Sequence, residues 1–185
     1  MISTTGRKTM EGSLRNLSII WVVMLGAAIA IIAVTAMMSN GGKLPVPSGM
    51  DNQTQVILLA VLSVLALSEI GGIVLFSVLF KSEGLIKKRL EVAPPELVNA
   101  QSSEGGLLTE TDRVAIALTP LYFSLCVIRW TLGLSVSLYG FILAFVTQFM
   151  NAGALFYAVS FLTLALLRPG IVEIETMAAK AGIRQ

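Results

Sequence analysis

The run LSIIWVVMLGAAIAIIAVTAMM, Leu17 to Met38, is 22 residues long and carries no charge. As a helix at about 1.5 Å per residue it reaches about 33 Å, and the hydrocarbon core of a bilayer is about 30 Å thick. Arg7, Lys8 and Arg15 precede it, as in a signal peptide. A signal peptide's apolar region is only about 7–15 residues long, however, and is followed by a small-residue cleavage site. No such site follows here, so the run reads as a retained signal anchor.

The rest of the chain has the same character. Of 185 residues, 55% are hydrophobic and 13% charged, with a mean hydropathy of +0.83. A soluble domain carries about 25% charged residues to make its polar shell. This composition cannot furnish one, so the surface must face lipid. Further spans are expected at about 56–80, 122–147 and 152–169, with the link QFMNAG (148–153) closing the last two into a tight hairpin. The expected fold is all-α: one integral membrane domain over 1–185, a four-helix antiparallel bundle.

Basic residues set its orientation, because they concentrate on the cytoplasmic side. The N-terminal tail holds Arg7, Lys8 and Arg15, and the connection 81–113 holds Lys81, Lys87, Lys88, Arg89 and Arg113. The C-terminal end adds Arg168, Lys180 and Arg184, against Lys43 alone on the other side. Both termini and the middle connection are therefore expected in the cytoplasm.

That connection, about 81–121, reads as helical. KSEGLIKKRLEV can continue the second helix until the prolines of APPEL (93–97) stop it. Thr109 and Asp112 in TETD have the spacing of a capping box, which starts the third helix near Glu110. A helix from there to Thr147 is about 57 Å long. Its excess must project from the membrane or bend at Thr119-Pro120. A projecting pair would bring Lys87, Lys88 and Arg89 near Glu110 and Asp112; alternatively, the basic strip rests on anionic headgroups. AQSSEGG (100–106) reads as a flexible tip, and the tail from Ile171 as a short surface helix.

Several chemistries are excluded. There is no histidine, so haem ligation by His, His-based zinc or copper sites and imidazole acid–base catalysis are absent from this chain. The single cysteine, Cys126, cannot form an intramolecular disulfide and reads as a small apolar filler. No GxSxG, Walker A, GxGxxG or CxxC pattern occurs. A net charge of +2 gives no footprint for nucleic acid. Neither a cofactor nor catalysis is expected.

Lipid supplies no hydrophobic drive between helices, so close packing relies on small residues. The candidates are Gly26 to Ala30 on the first span, Ala66, Gly71 and Gly72 on the second, and Gly133, Ser137, Gly140 and Ala144 on the third. Ala154, Ala158 and Ala165 complete the set on the fourth. An outer face of such a bundle is expected to pack against partner subunits or a second copy.

Two ionisable residues lie within spans, Glu69 and Arg129. A charge at the bilayer centre costs at least about 2.5–3.5 kcal/mol, which makes each a functional candidate. Arg129 lies close enough to the cytoplasmic edge to snorkel. Glu69, about 18 Å in, must be protonated, paired or beside water. A pair with Arg129 is reachable but disfavoured, because side chains tilt toward their own helix N-terminus and these two tilt apart. A hydrogen bond to a hydroxyl or carbonyl is the alternative.

The segment from Cys126 to Gly170, through Arg129, Trp130, Leu132, Tyr139, Gly140 and Arg168-Pro169, resembles a pattern in small, uncharacterised bacterial four-span inner-membrane proteins. Its helix is also loosely similar to the second helix of the ATP synthase rotor c subunit. The first resemblance implies a multi-pass protein of the bacterial inner membrane. The second implies no ion transport, since Leu134 stands where the rotor's carboxylate would be. Two functions are then expected: a non-catalytic structural, assembly or accessory subunit of a membrane complex, or a small transport or proton-transfer protein using Glu69.

Overall fold

The computed structural model describes residues 2–40, 51–92, 108–147 and 150–181. Among them are six helices and no strand: α1 (Thr4–Asn40), α2 (Asn52–Phe80), α3 (Glu83–Val92), α4 (Glu110–Thr147), α5 (Met150–Leu166) and α6 (Ile171–Lys180). Three of them, α1, α2 and α4, are long and apolar enough to cross a membrane. The pair α5 and α6 makes a fourth if counted as one bent span. Residues 93–107, with the expected proline stop and flexible tip, lie outside the described set, as do 41–50 and 148–149.

Local chemistry explains where the helices begin and end. α1 starts at Thr4, well before the apolar run, because Ser3 caps it: the Gly6 amide donates to Ser3 Oγ at 3.1 Å. The Thr109–Asp112 capping box forms as expected, with Thr109 N 2.9 Å from Asp112 Oδ2 and Asp112 N 3.2 Å from Thr109 Oγ1. α4 runs helically through Pro120 to Thr147.

Two expectations are corrected. The second helix does not continue into the basic segment; it stops at Phe80, where the Ser82 amide tightens onto Leu79 O at 3.0 Å, and α3 restarts at Glu83. The last span ends at Leu166 rather than 169, since Pro169 has no amide hydrogen and disfavours helix in the residue before it. Gly170, with extended backbone, then caps α6.

The chain divides into two compact units. One comprises Trp21–Val74 and Arg129–Arg168. Here α4 and α5 run antiparallel and close: Ser137 Oγ donates to Ser160 Oγ at 2.6 Å, and Ser160 Oγ to Gly133 O at 2.7 Å. A Cβ placed on Gly153 would stand 2.6 Å from Gly140 O, so the two glycines allow backbone to approach backbone. α1 joins through Thr35 and Tyr157, whose hydroxyls are 2.7 Å apart. Trp21 and Trp130 donate indole N–H groups to Leu164 O and Leu167 O, carbonyls at the end of α5 that the broken helix leaves open. Leu62 and Ala66 of α2 pack with Val136, Leu143 and Phe156.

The expected packing stripe on the last span is displaced. Ala154, Ala158 and Ala165 are exposed, while Gly153, Tyr157, Ser160 and Leu164 face inward. The hydroxyls decide this, since Tyr157 and Ser160 need polar partners that only the protein offers. Gly71 likewise points outward, and a methyl group there would have no neighbour within 4 Å, whereas Gly72 faces Leu132. Gly133, Ser137, Gly140 and Ala144 are buried on α4.

The other unit comprises Met1–Ile20, Leu75–Ile128 and Pro169–Gln185. Asp112, fully buried, holds it together by accepting from Ser3 N (2.8 Å), Ser3 Oγ (2.7 Å), Thr109 N (2.9 Å) and Thr109 Oγ1 (2.7 Å). The carboxylate expected to face the basic strip thus binds the N-terminal segment instead. A Cβ on Gly6 would overlap it. α6 buries Ile174, Met177 and Ala178 and is pinned by Arg7–Glu175 (3.3 Å) and Lys81–Glu173 (2.6 Å). The Gly170 amide donates to Tyr122 Oη at 2.9 Å.

Burial pushes the Asp112 carboxyl up, but the hydrogen bonds from Ser3 and Thr109 outweigh it and hold the carboxyl below its usual value of 3.8. A lowered folded-state pKa means that this contact contributes fully above the ordinary carboxylate range. It is lost as pH falls through the depressed value. Hydrogen-exchange protection at the start of α1, taken relative to the intrinsic rate at each pH, is therefore expected to hold from neutral pH down to about pH 4 and to fall below it; Asp112→Ala should remove it throughout. In thermal unfolding, Gly153→Ala should lower stability by about 1–3 kcal/mol through overpacking. Gly71→Ala, in open space, should be neutral or raise stability by up to about 1 kcal/mol.

Candidate functional site

On α2 the inward positions run Leu62, Ala66 and Ile73, and Glu69 falls on the same helical face. Glu69 therefore points at α4 rather than at lipid. Its partner is Tyr139, whose hydroxyl donates to Glu69 Oε1 at 2.6 Å. Tyr139 is set by its own neighbours, packing with Leu58 and Val159 around the Leu62–Val136–Phe156 cluster. The second carboxyl oxygen, Oε2, is buried and has no hydrogen-bond partner among the described residues.

The geometry follows from helix direction. Gly72 meets Leu132 and Glu69 meets Tyr139, so α2 and α4 run antiparallel here. Each side chain leans toward the start of its own helix. Glu69 leans one way along the contact and Tyr139 leans back to meet it. The rule that separates Glu69 from Arg129 brings Glu69 and Tyr139 together. Nothing in the sequence marks Tyr139 as polar machinery, and only the tilt argument, applied beyond Leu134, finds it.

Arg129 is buried within the protein, at 9% exposure. Of the expected site residues, the structure therefore places Glu69 and Arg129 inside the unit formed by Trp21–Val74 and Arg129–Arg168. Chemically, the Glu69–Tyr139 pair can fix a carboxyl oxygen and present Oε2 for one proton. Among the described residues no group of three or more His, Cys, Asp or Glu side chains gathers as a metal site.

A groove of ≈ 530 Å³ lies in the other unit between Thr9, Met10 and Ser13 of α1 and Ile116, Thr119 and Phe123 of α4. The hydroxyls of Thr9 and Thr119 donate to Thr5 O and Ala115 O of their own helices. No charged side chain lines the groove. Compared with known protein families, with curated proteins and with solved structures, the chain matches none.

Tyr139→Phe should strip Glu69 of its donor and lower stability by about 1–3 kcal/mol, the cost of stranding a buried polar group. Glu69→Gln keeps an acceptor for Tyr139 and should cost less. Thermal unfolding of both variants in the same detergent gives the order.

Proposed function

We propose that this chain is a non-catalytic structural, assembly or accessory subunit of a membrane complex. In this reading it is a four-helix antiparallel bundle in a bacterial inner membrane, with both termini in the cytoplasm. The observation that carries the proposal is the outward placement of small residues. Gly26 and Ala30 on α1, and Ala154 and Ala158 on α5, are exposed pairs at the spacing that lets two membrane helices approach closely. Gly26 and Gly71 have open space where a side chain would stand. Small residues on an outer face give little to lipid and much to a neighbouring helix. The neighbour is another membrane protein or a second copy of this chain.

A second reading rests on the Glu69–Tyr139 pair, with its buried and unpartnered Oε2. It makes the chain a small proton-transfer protein in which Glu69 carries the proton and Tyr139 holds it in place. Proton flux into vesicles containing the protein tests this: Glu69→Gln should abolish it, and unchanged flux in both Glu69→Gln and Glu69→Leu would refute it.

For the subunit reading, cross-linking in native membranes followed by purification in mild detergent should recover the chain with a partner or as a dimer. Ala154→Phe with Ala158→Phe should reduce that recovery several-fold while the chain accumulates normally. A monomer with no co-purifying partner under these conditions would overturn the proposal.

A further inference from the structure

The basic segment that follows α2 is held at the edge of the apolar span. α2 ends at Phe80 and α3 begins at Glu83, so only Lys81 and Ser82 separate the two. A helix started that close to a hydrocarbon-length segment cannot leave the headgroup region over its first turn. α3 is fixed in orientation as well as position. Ile86 is fully buried, and α3 packs against α6.

With Ile86 inward, the outer residues of α3 sort into two rows. Glu83, Lys87 and Glu91 follow one another at four-residue spacing, so Lys87 lies between two carboxylates of its own helix. Leu85, Lys88 and Arg89 form the other row, at i, i+3 and i+4. All three are exposed, Leu85 at 37%. The two acids of α6 are already engaged: Glu173 by Lys81, and Glu175 by Arg7. Lys88 and Arg89 have no ion pair among the described residues. Two cations flanking one exposed leucine, at the end of an apolar span, match an anionic phospholipid: phosphate oxygens for the cations and the upper acyl chain for the leucine.

We propose that Leu85, Lys88 and Arg89 form a docking face for anionic phospholipid headgroups, with Lys87 standing outside it. The occupant is the bilayer that holds α2, and charge complementarity selects it.

The test uses the full chain purified in neutral detergent and titrated with phosphatidylglycerol or phosphatidylcholine, with bound lipid counted by native mass spectrometry. The wild-type chain should prefer phosphatidylglycerol by about tenfold or more, as two surface cations warrant. The preference should shrink as ionic strength rises. K88Q/R89Q should bring it to about twofold or less, while K87Q should keep the wild-type value. Circular dichroism and elution volume verify that both variants fold. Equal binding of the two lipids by wild type, or an unchanged preference in K88Q/R89Q, would overturn the proposal. So would a loss in K87Q as large as in the double variant. No lipid preference, together with a cross-link from Lys88 to an acidic protein segment in native membranes, would overturn it in favour of a protein contact.

Discussion

A hydroxyl or an open carbonyl in hydrocarbon has no water to turn to, and residues 129–168 are arranged around that constraint. Ser137 and Ser160 satisfy each other and Gly133 O in one chain of bonds. Thr35 meets Tyr157, and two indoles close the carbonyls at the end of α5. These contacts fix which face of each helix turns inward. The glycines then set how near the backbones come, since Gly140 and Gly153 permit an approach that a methyl group would block. Small residues without such polar neighbours, as at Ala154 and Ala158, are left on the outside.

Much of this was legible in the sequence. Apolar stretches of spanning length, each with at most one charge, marked α1, α2 and α4, because hydrophobic length is a property of composition alone. The capping box placed the start of α4 at Glu110, because its two side chains lie within one turn. What could not be read depends on contacts distant in sequence. The small-residue count on the last span does not say which way its alanines point; Ser160 does, through a residue 23 positions away. The break after Phe80 was hidden because the apolar run before it and EGLIKKRLEV after it both have helical composition.

The candidate site divides in the same way. Glu69 stood out from sequence because a carboxylate in an apolar run is rare. Its partner Tyr139 did not, since a tyrosine in a membrane helix is ordinary until a carboxylate lies 2.6 Å away. Glu69 shares its helical face with Leu62, Ala66 and Ile73, so any loss of the Tyr139 bond is felt by the packing as well as by the charge.

The four bonds on Asp112 also bear on the order in which the chain comes together. Ser3 and Asp112 are 109 residues apart, so the N-terminal segment leaves the ribosome long before the carboxylate that will hold it. At a synthesis rate of about 5–20 residues per second, roughly 5–20 s pass between the two. During that interval the cap of α1 is closed by Ser3 alone, and two apolar helices emerge before the third begins. The start of α1 reaches its final anchorage only when the first turn of α4 has been made. A segment made early is thus secured late.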